Sequence, residues 1–332
     1  MHAIPSGVRI CLNKIAQNIV PRKHRGKILF HGPVCVLLIC AILVCSAAFL
    51  YGFRHNCAEK WEKGWRAWEA GDSALALKEW SAGRFFAPFD PGAPRIYYWK
   101  IRALENMGRK KEAETAASLM ASRFPLDFYT IALAGDGRYP FLSQAAASAC
   151  RSANYRRRWE KEISAASAKT GVSKNMLMAI VRQESSFNEC AVSKSGAVGL
   201  MQLMPFTARE AESRIRASGL SLQDPAHNIV LGASHFARLN RKFKGCLPMA
   251  LAAYNAGGAA VSRWKRGSSG LMEWIENIPY RETRVYVRAV IRNYSIYTAT
   301  DADRKQEDLS SFPIFPSWGR LSVSAKKSSA EK

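Results

Sequence analysis

The sequence predicts a mainly α-helical chain with one small β-element, on three observations. Apolar residues recur at helical spacing in four stretches of the C-terminal half, beginning near positions 173, 225, 247 and 282. Residues 58–135 carry a faint repeat of the helix-turn-helix kind. A short piece alternates as a strand does, Val198, Leu200 and Gln202 interleaving with Gly199, Met201 and Leu203.

Taken from the N-terminus, residues 1–32 read as a basic tail. Residues 1–58 hold seven of the 49 Lys and Arg and none of the 26 Asp and Glu, and the remainder still carries +16 of the formal +23. Such a charge suits a polyanion or a solvated basic face. No nucleic-acid motif accompanies it, so nucleic acid is not expected as a partner. Residues 33–53 are an uncharged run rich in Val, Leu, Ile and Ala, long enough to span a bilayer as a transmembrane helix. A cleaved signal peptide would have a shorter apolar core and a small-residue exit site. The basic cluster before the run predicts a single pass with the N-terminus in the cytoplasm and everything beyond about residue 54 outside.

Residues 54–150 form a helical segment in which Ala70-Gly71-Asp72-Ser73-Ala74-Leu75-Ala76 aligns with Met107-Gly108-Arg109-Lys110-Lys111-Glu112-Ala113. A glycine at the turn and a small Ala five residues later let two helices pack closely, as in tetratricopeptide hairpins. Trp61, Trp65, Trp68, Trp80, Tyr97, Tyr98 and Trp99 are expected to fill the groove between hairpins as core. Two units are few for a free-standing solenoid, so the segment is expected to lean on the domain C-terminal to it.

In 151–300, Ser173 is a candidate N-cap, and Leu177, Ile180, Val181 and Phe187 share one helical face with Glu184. A carboxyl on a buried stripe has its charged form disfavoured, which suits a general acid near neutral pH. The alternative is a glutamate that ends a helix and reaches water. Pro205 is expected to stop the strand piece, with Thr207 and Glu210 forming a capping box for the next helix. Asp224-Pro225 starts another helix, and an Ala-rich one ends at Tyr254-Asn255-Ala256-Gly257. Glu282 opens the last helix, where the macrodipole favours a negative charge. Residues 301–332 are polar around a Phe312–Trp318 island and read as a disordered tail.

Of eight cysteines, Cys57, Cys150, Cys190 and Cys246 lie beyond the apolar run. Either Cys190 pairs with Cys246 or all four are buried free thiols. The six histidines show no metal spacing, and neither a metal nor another cofactor is expected.

Four motifs occur in order: Glu184-Ser185-Ser186-Phe187, Gly199-Leu200-Met201-Gln202-Leu203-Met204-Pro205, Ala253-Tyr254-Asn255-Ala256-Gly257, and Ile278-Pro279-Tyr280-Arg281-Glu282-Thr283-Arg284-Val285-Tyr286-Val287. This series resembles the catalytic domain of the soluble lytic transglycosylases, lysozyme-like enzymes that cut bacterial peptidoglycan. The resemblance covers roughly residues 155–300. It implies a lysozyme-like domain with the β-element opposite the catalytic helix, Glu184 as the acid/base, and Ser185, Met201, Gln202, Tyr254, Asn255 and Glu282 binding substrate or tuning the acid. Gly258 stands where the family often carries Pro. The implied partner is the peptidoglycan strand, with the anchor in the inner membrane, the catalytic domain in the periplasm and the helical segment available to an envelope protein. The alternatives are a hydrolytic muramidase of the same fold and a non-catalytic peptidoglycan-binding scaffold.

Overall fold

A computed structural model describes residues 39–40, 58–82, 92–215, 220–264 and 270–301. The chain divides into Met1–Ala58 and Glu59–Lys332. The expected transmembrane run 33–53 and the tail beyond 301 lie outside the described residues, apart from Ile39 and Cys40. Among the described residues no helix is long and apolar enough to cross a membrane.

Every regular element among the described residues of the second unit is a helix. Helix α1 (58–69) and α2 (Ser73–Ala82) form one hairpin, α3 (Ala93–Asn106) and α4 (Lys110–Arg123) another. Each turns on a glycine in the left-handed region, Gly71 at φ +84° and Gly108 at φ +72°, a conformation that penalises any side chain. Ala76 and Ala113, five residues on, are buried. The tryptophans do what their spacing predicts: Trp61 stacks on Trp65 and Trp80 with centroids 5.4 and 5.6 Å apart, and Trp65 meets Trp99 edge-on at 4.9 Å.

Next come α5 (Phe128–Gly135), capped by the Asp127 carboxylate, and α6 (Pro140–Ser152). The C-terminal helices are α7 (Glu160–Thr170), α8 (Lys174–Ser185), α9 (Pro205–Ile215), α10 (Pro225–Lys242), α11 (Leu247–Ala256), α12 (Gly258–Arg263), α13 (Leu271–Glu276) and α14 (Arg281–Ala299). One continuous core runs from Trp61 through α8 to Tyr297. Helix α8 lies at its centre, packed against α14 and α7. Every residue from Asn175 to Val181 is buried, so the expected apolar face of Leu177, Ile180 and Val181 is covered and the rest of this stretch is covered with it.

The helical hairpins do lean on the C-terminal helices, through a buried polar junction. Glu276, at the end of α13 and 2% exposed, accepts from Trp99 Nε1 at 3.2 Å and from the Tyr129 hydroxyl, and pairs with Arg95 at 2.7 Å. Arg95 in turn lies over the Trp61 ring. Arg288 of α14 donates to the same Tyr129 hydroxyl, and Arg284 donates to the Glu276 carbonyl at 2.8 Å. Asn277 accepts from Trp65 Nε1 at 3.0 Å and donates to Glu69 at 2.9 Å.

Three expectations are corrected. The β-element is no strand: among the described residues it amounts to two isolated antiparallel bridges, Val192 with Val198 and Val198 with Leu203. Gly199 at φ +80° and Gln202 at φ +45° close the chain into a turn that an extended strand could not contain. The capping box at Thr207 does not form, because α9 begins two residues earlier. Pro205 takes the first helical position, where its missing N–H costs nothing. No Cys190–Cys246 disulfide exists: Cys190 is an exposed free thiol on the loop after α8, whereas Cys246 precedes α11. Cys150 is buried and free, and burial pushes its thiol pKa up to about 12. Cys57 lies outside the described residues.

Candidate active site

Helix α8 starts as the sequence predicts, with Ser173 Oγ accepting from the Met176 N–H at 3.3 Å. It ends abruptly, Ser186 and Phe187 both lying in the left-handed region at φ 51° and 69°. Phe187 folds back into the core at 2% exposure. The turn leaves Glu184 in the last helical turn, half-buried and facing α14. There the Tyr286 hydroxyl donates to Glu184 Oε1 at 2.6 Å. Burial raises the Glu184 pKa to about 7, the Tyr286 hydrogen bond works against that rise, and the negative charge of Glu282 adds to it. A carboxyl that titrates near 7 is half protonated at neutral pH, the condition for giving and retaking a proton.

The turn 199–202 stands beside this carboxyl and is held by buried side chains rather than by a sheet. Ser185 Oγ donates to the Leu200 carbonyl at 2.9 Å, tying the turn to the end of α8. Asn228, fully buried on α10, accepts from the Met201 N–H at 2.7 Å and donates to the Val198 and Leu222 carbonyls at 3.0 and 2.8 Å. A Cβ on Gly199 would lie 2.4 Å from both Asn228 Nδ2 and the Leu222 carbonyl oxygen, so this clamp admits only glycine. Tyr254, from the end of α11, donates to the Met201 carbonyl at 2.9 Å. Burial and, to a lesser extent, the charge of Glu184 both hold the Tyr254 hydroxyl protonated.

The expected site residues separate in this geometry. Glu184, Tyr254 and Glu282 converge electrostatically, and Glu282 is exposed in the first turn of α14. Gln202 uses its amide nitrogen on the Gly199 and Ala191 carbonyls at 2.9 and 3.1 Å, leaving its carbonyl oxygen for a ligand. Asn255 accepts from Thr283 Oγ1 at 2.6 Å and thereby fixes the start of α14 beside α11. Ser185 bonds backbone carbonyls, not Glu184. Met201, expected to bind substrate, turns its side chain into the core. Its side chain is fully buried against Gly232, where an added Cβ would meet its sulfur at 2.5 Å, so only its backbone serves the site.

Two residues escape a reading of the sequence. Tyr286 sits on the buried stripe Thr283, Tyr286, Val287, Val290, and a tyrosine there reads as packing. Its place inside the fourth motif is the available signal. Asn228 is flanked by Ile229, Val230 and Leu231, and nothing in that pattern marks it as a clamp.

The Tyr286 hydrogen bond yields a prediction with a definite sign. If protonated Glu184 is required, activity falls as pH rises through its pKa. Tyr286→Phe removes a donor to the carboxylate, so the pKa rises and the alkaline limb of kcat/KM moves up by roughly one unit. An unmoved or lowered limb in a pH–rate profile would dissociate this tyrosine from the acid.

The chain is similar to known proteins over part of its length. Residues 161–277 match the family model of the transglycosylase SLT domain. Over 145 residues the chain is 39% identical to a putative soluble lytic murein transglycosylase of Haemophilus influenzae, covering 42% of this chain and 24% of that protein. Over 127 residues it is 39% identical to the soluble lytic murein transglycosylase of Escherichia coli K12, covering 36% and 20%. The chain thus spans about a quarter or less of these relatives. Among solved structures, an inactive Glu-to-Gln mutant of the lytic transglycosylase Slt of Pseudomonas aeruginosa superposes with a TM-score of 0.60 at 23% identity, over 74% of this chain and 52% of that one. The 70-kDa soluble lytic transglycosylase of Escherichia coli does so with a TM-score of 0.64 at 20% identity, over 78% and 54%. At these identities the structures speak for the fold, a helical lysozyme-like one.

Proposed function

We propose, from the premise that residues 161–277 form a transglycosylase SLT domain, that this protein is a peptidoglycan lytic transglycosylase with Glu184 as its single acid/base. It would cleave the β-1,4 bond between N-acetylmuramic acid and N-acetylglucosamine. The observation that carries the reading is a half-buried carboxyl held by a tyrosine, its pKa raised to about 7 by burial, and facing a turn that offers no second acid. From Ala191 to Arg209 the sequence holds neither Asp nor Glu. A glycosidase that uses water or a protein nucleophile needs two carboxyls flanking the bond. The other acid whose charge reaches Glu184 is Glu282, an exposed residue suited to tuning.

With one carboxyl, the substrate itself supplies the nucleophile. Protonated Glu184 gives its proton to the glycosidic oxygen as the 2-acetamido carbonyl oxygen of the muramic residue bonds to C1, and the leaving sugar departs as an alcohol. Glu184, now a carboxylate stabilised by the Tyr286 hydroxyl, takes the proton of the muramic C6 hydroxyl. O6 then bonds to C1, the bond from C1 to the acetamido oxygen breaks, and a 1,6-anhydro ring closes with no water consumed. Glu184 ends protonated, ready for another cycle.

Product analysis tests this. Purified peptidoglycan digested in heavy-oxygen water should give unlabelled ends in 1,6-anhydro-N-acetylmuramic acid, about 18 mass units below the hydrolysed sugar. Labelled reducing ends as the main product would make the chain a muramidase, with Glu282 the residue to hold the water. Absence of cleavage beside tight glycan binding would make it a scaffold.

We also propose that the uncharged run 33–53 anchors the chain in the inner membrane with the domain in the periplasm, supported by the cluster of basic residues before the run and the absence of such a cluster just after it. Protease added to spheroplasts should then remove everything beyond about residue 54. A protected domain would refute the orientation.

A further inference from the structure

We propose that the cavity between α9 and α10, lined by Arg214, Arg238 and Arg241 with His235, is a binding site for a carboxylate of the peptide stem carried by the muramic residue. This rests on the glycan substrate proposed above, and it adds a recognition site separate from the cleavage chemistry. The cavity has a volume of about 200 Å³. That is too small for a sugar chain and sufficient for the end of a peptide or one acidic side chain.

Its charge is what points to an anion. The lining groups that ionise are Arg214, Arg238, Arg241, Glu210 and His235. Glu210 pairs with Arg214 at 2.5 Å and stands 3.7 Å from Arg238. Burial, aided by the neighbouring Arg238 charge, lowers the His235 pKa to about 4, so the imidazole is neutral at neutral pH. Three guanidiniums against one carboxylate leave two positive charges facing one small cavity. Like charges so placed are relieved by a bound anion, and the planar guanidinium fork matches a carboxylate in two-pronged fashion. Arg238 Nη2 lies 3.2 Å from His235 Nδ1. Since an arginine can only donate, Nδ1 accepts, and the remaining imidazole hydrogen sits on Nε2 as a further neutral donor.

The cavity adjoins the candidate active site through two shared parts. The His235 ring meets the Tyr254 ring edge-on at 5.4 Å, and Tyr254 holds the Met201 carbonyl of the turn beside Glu184. Helix α9, which carries Glu210 and Arg214, follows directly from that turn. A stem of three to five residues, extended, spans roughly 10–17 Å and so extends well beyond the sugar that carries it.

Binding to the Glu184→Gln form of the full chain tests the proposal without turnover. Glycan strands bearing their stems should bind about tenfold more tightly, or better, than the same strands stripped of stems by an amidase. In the Arg238→Ala/Arg241→Ala variant that difference should vanish while affinity for stripped strands stays as it was. Arg241→Ala alone, at an exposed position, guards against a folding defect and should remove part of the difference. Equal affinity of the parental protein for both strands, or a stem preference that survives in the double variant, overturns the proposal. An equal loss on stripped strands also overturns it, because the arginines would then serve the glycan. Failure of the parental protein to bind either strand strikes the glycan reading itself.

Discussion

Glu184→Gln should lower turnover of peptidoglycan by roughly 10²–10⁴-fold while leaving the fold and glycan binding in place, since glutamine keeps the shape and loses the proton. The same substitution should stabilise the protein, and only on one side of neutrality. The folded-state pKa of Glu184 is raised from about 4.5 to about 7. Folding therefore favours the protonated form: the stability tied to this proton is fully present below about pH 4.5 and is lost as pH rises through 7. Above pH 7 the native protein carries a buried charge worth on the order of 2–4 kcal/mol against folding, which glutamine does not carry. Thermal melts of the two proteins should coincide near pH 4.5 and diverge by pH 8, the variant melting higher. Near-normal turnover in the variant would remove Glu184 from the chemistry. Coincident melts at both pH values would mean the carboxyl is better solvated than its surroundings indicate.

Glu276→Ala should cost about 3–5 kcal/mol of stability, the range for a buried ion pair that loses one partner. The loss strands three groups at once: Arg95 over the Trp61 ring, the Trp99 indole N–H and the Tyr129 hydroxyl. Against a typical total of about 5–15 kcal/mol this is a large share, and it falls on the seam between the helical hairpins and the C-terminal helices. Urea titration should show a lower midpoint, and separation into two transitions would show that the seam couples the two parts. A midpoint within error of the native protein would mean that Arg95 and Tyr129 find water when the carboxylate is gone.

The legible parts of this molecule are those governed by neighbours in sequence. Ser173 as a cap, the glycines of the two hairpins and the buried face before Glu184 all depend on interactions within one helical turn, and all are found as expected. The strand reading of Val198–Leu203 fails because alternation counts side chains and is blind to backbone sign. Two left-handed residues in four positions make a turn, and Gln202 is not a residue that advertises such a conformation. The capping box at Thr207 fails because Pro205 reads as a stop and acts as a start. A proline serves both roles, and the choice depends on whether the residues after it find something to pack against, as Ala208 and Ala211 do.

By itself the sequence determined that the chain is helical, where its helices cap and turn, and which carboxyl lies in the motif that resembles an acid/base. Only the tertiary structure decided what touches that carboxyl. Tyr286 reaches Glu184 from 102 residues away, and Tyr129 reaches Glu276 from 147. Helix period and capping are set by hydrogen bonds spanning three or four residues, so they are written locally. The proton affinity of Glu184 is set by how much water the packed helices exclude and by which distant side chains the core brings against it, and neither exists until the chain has folded.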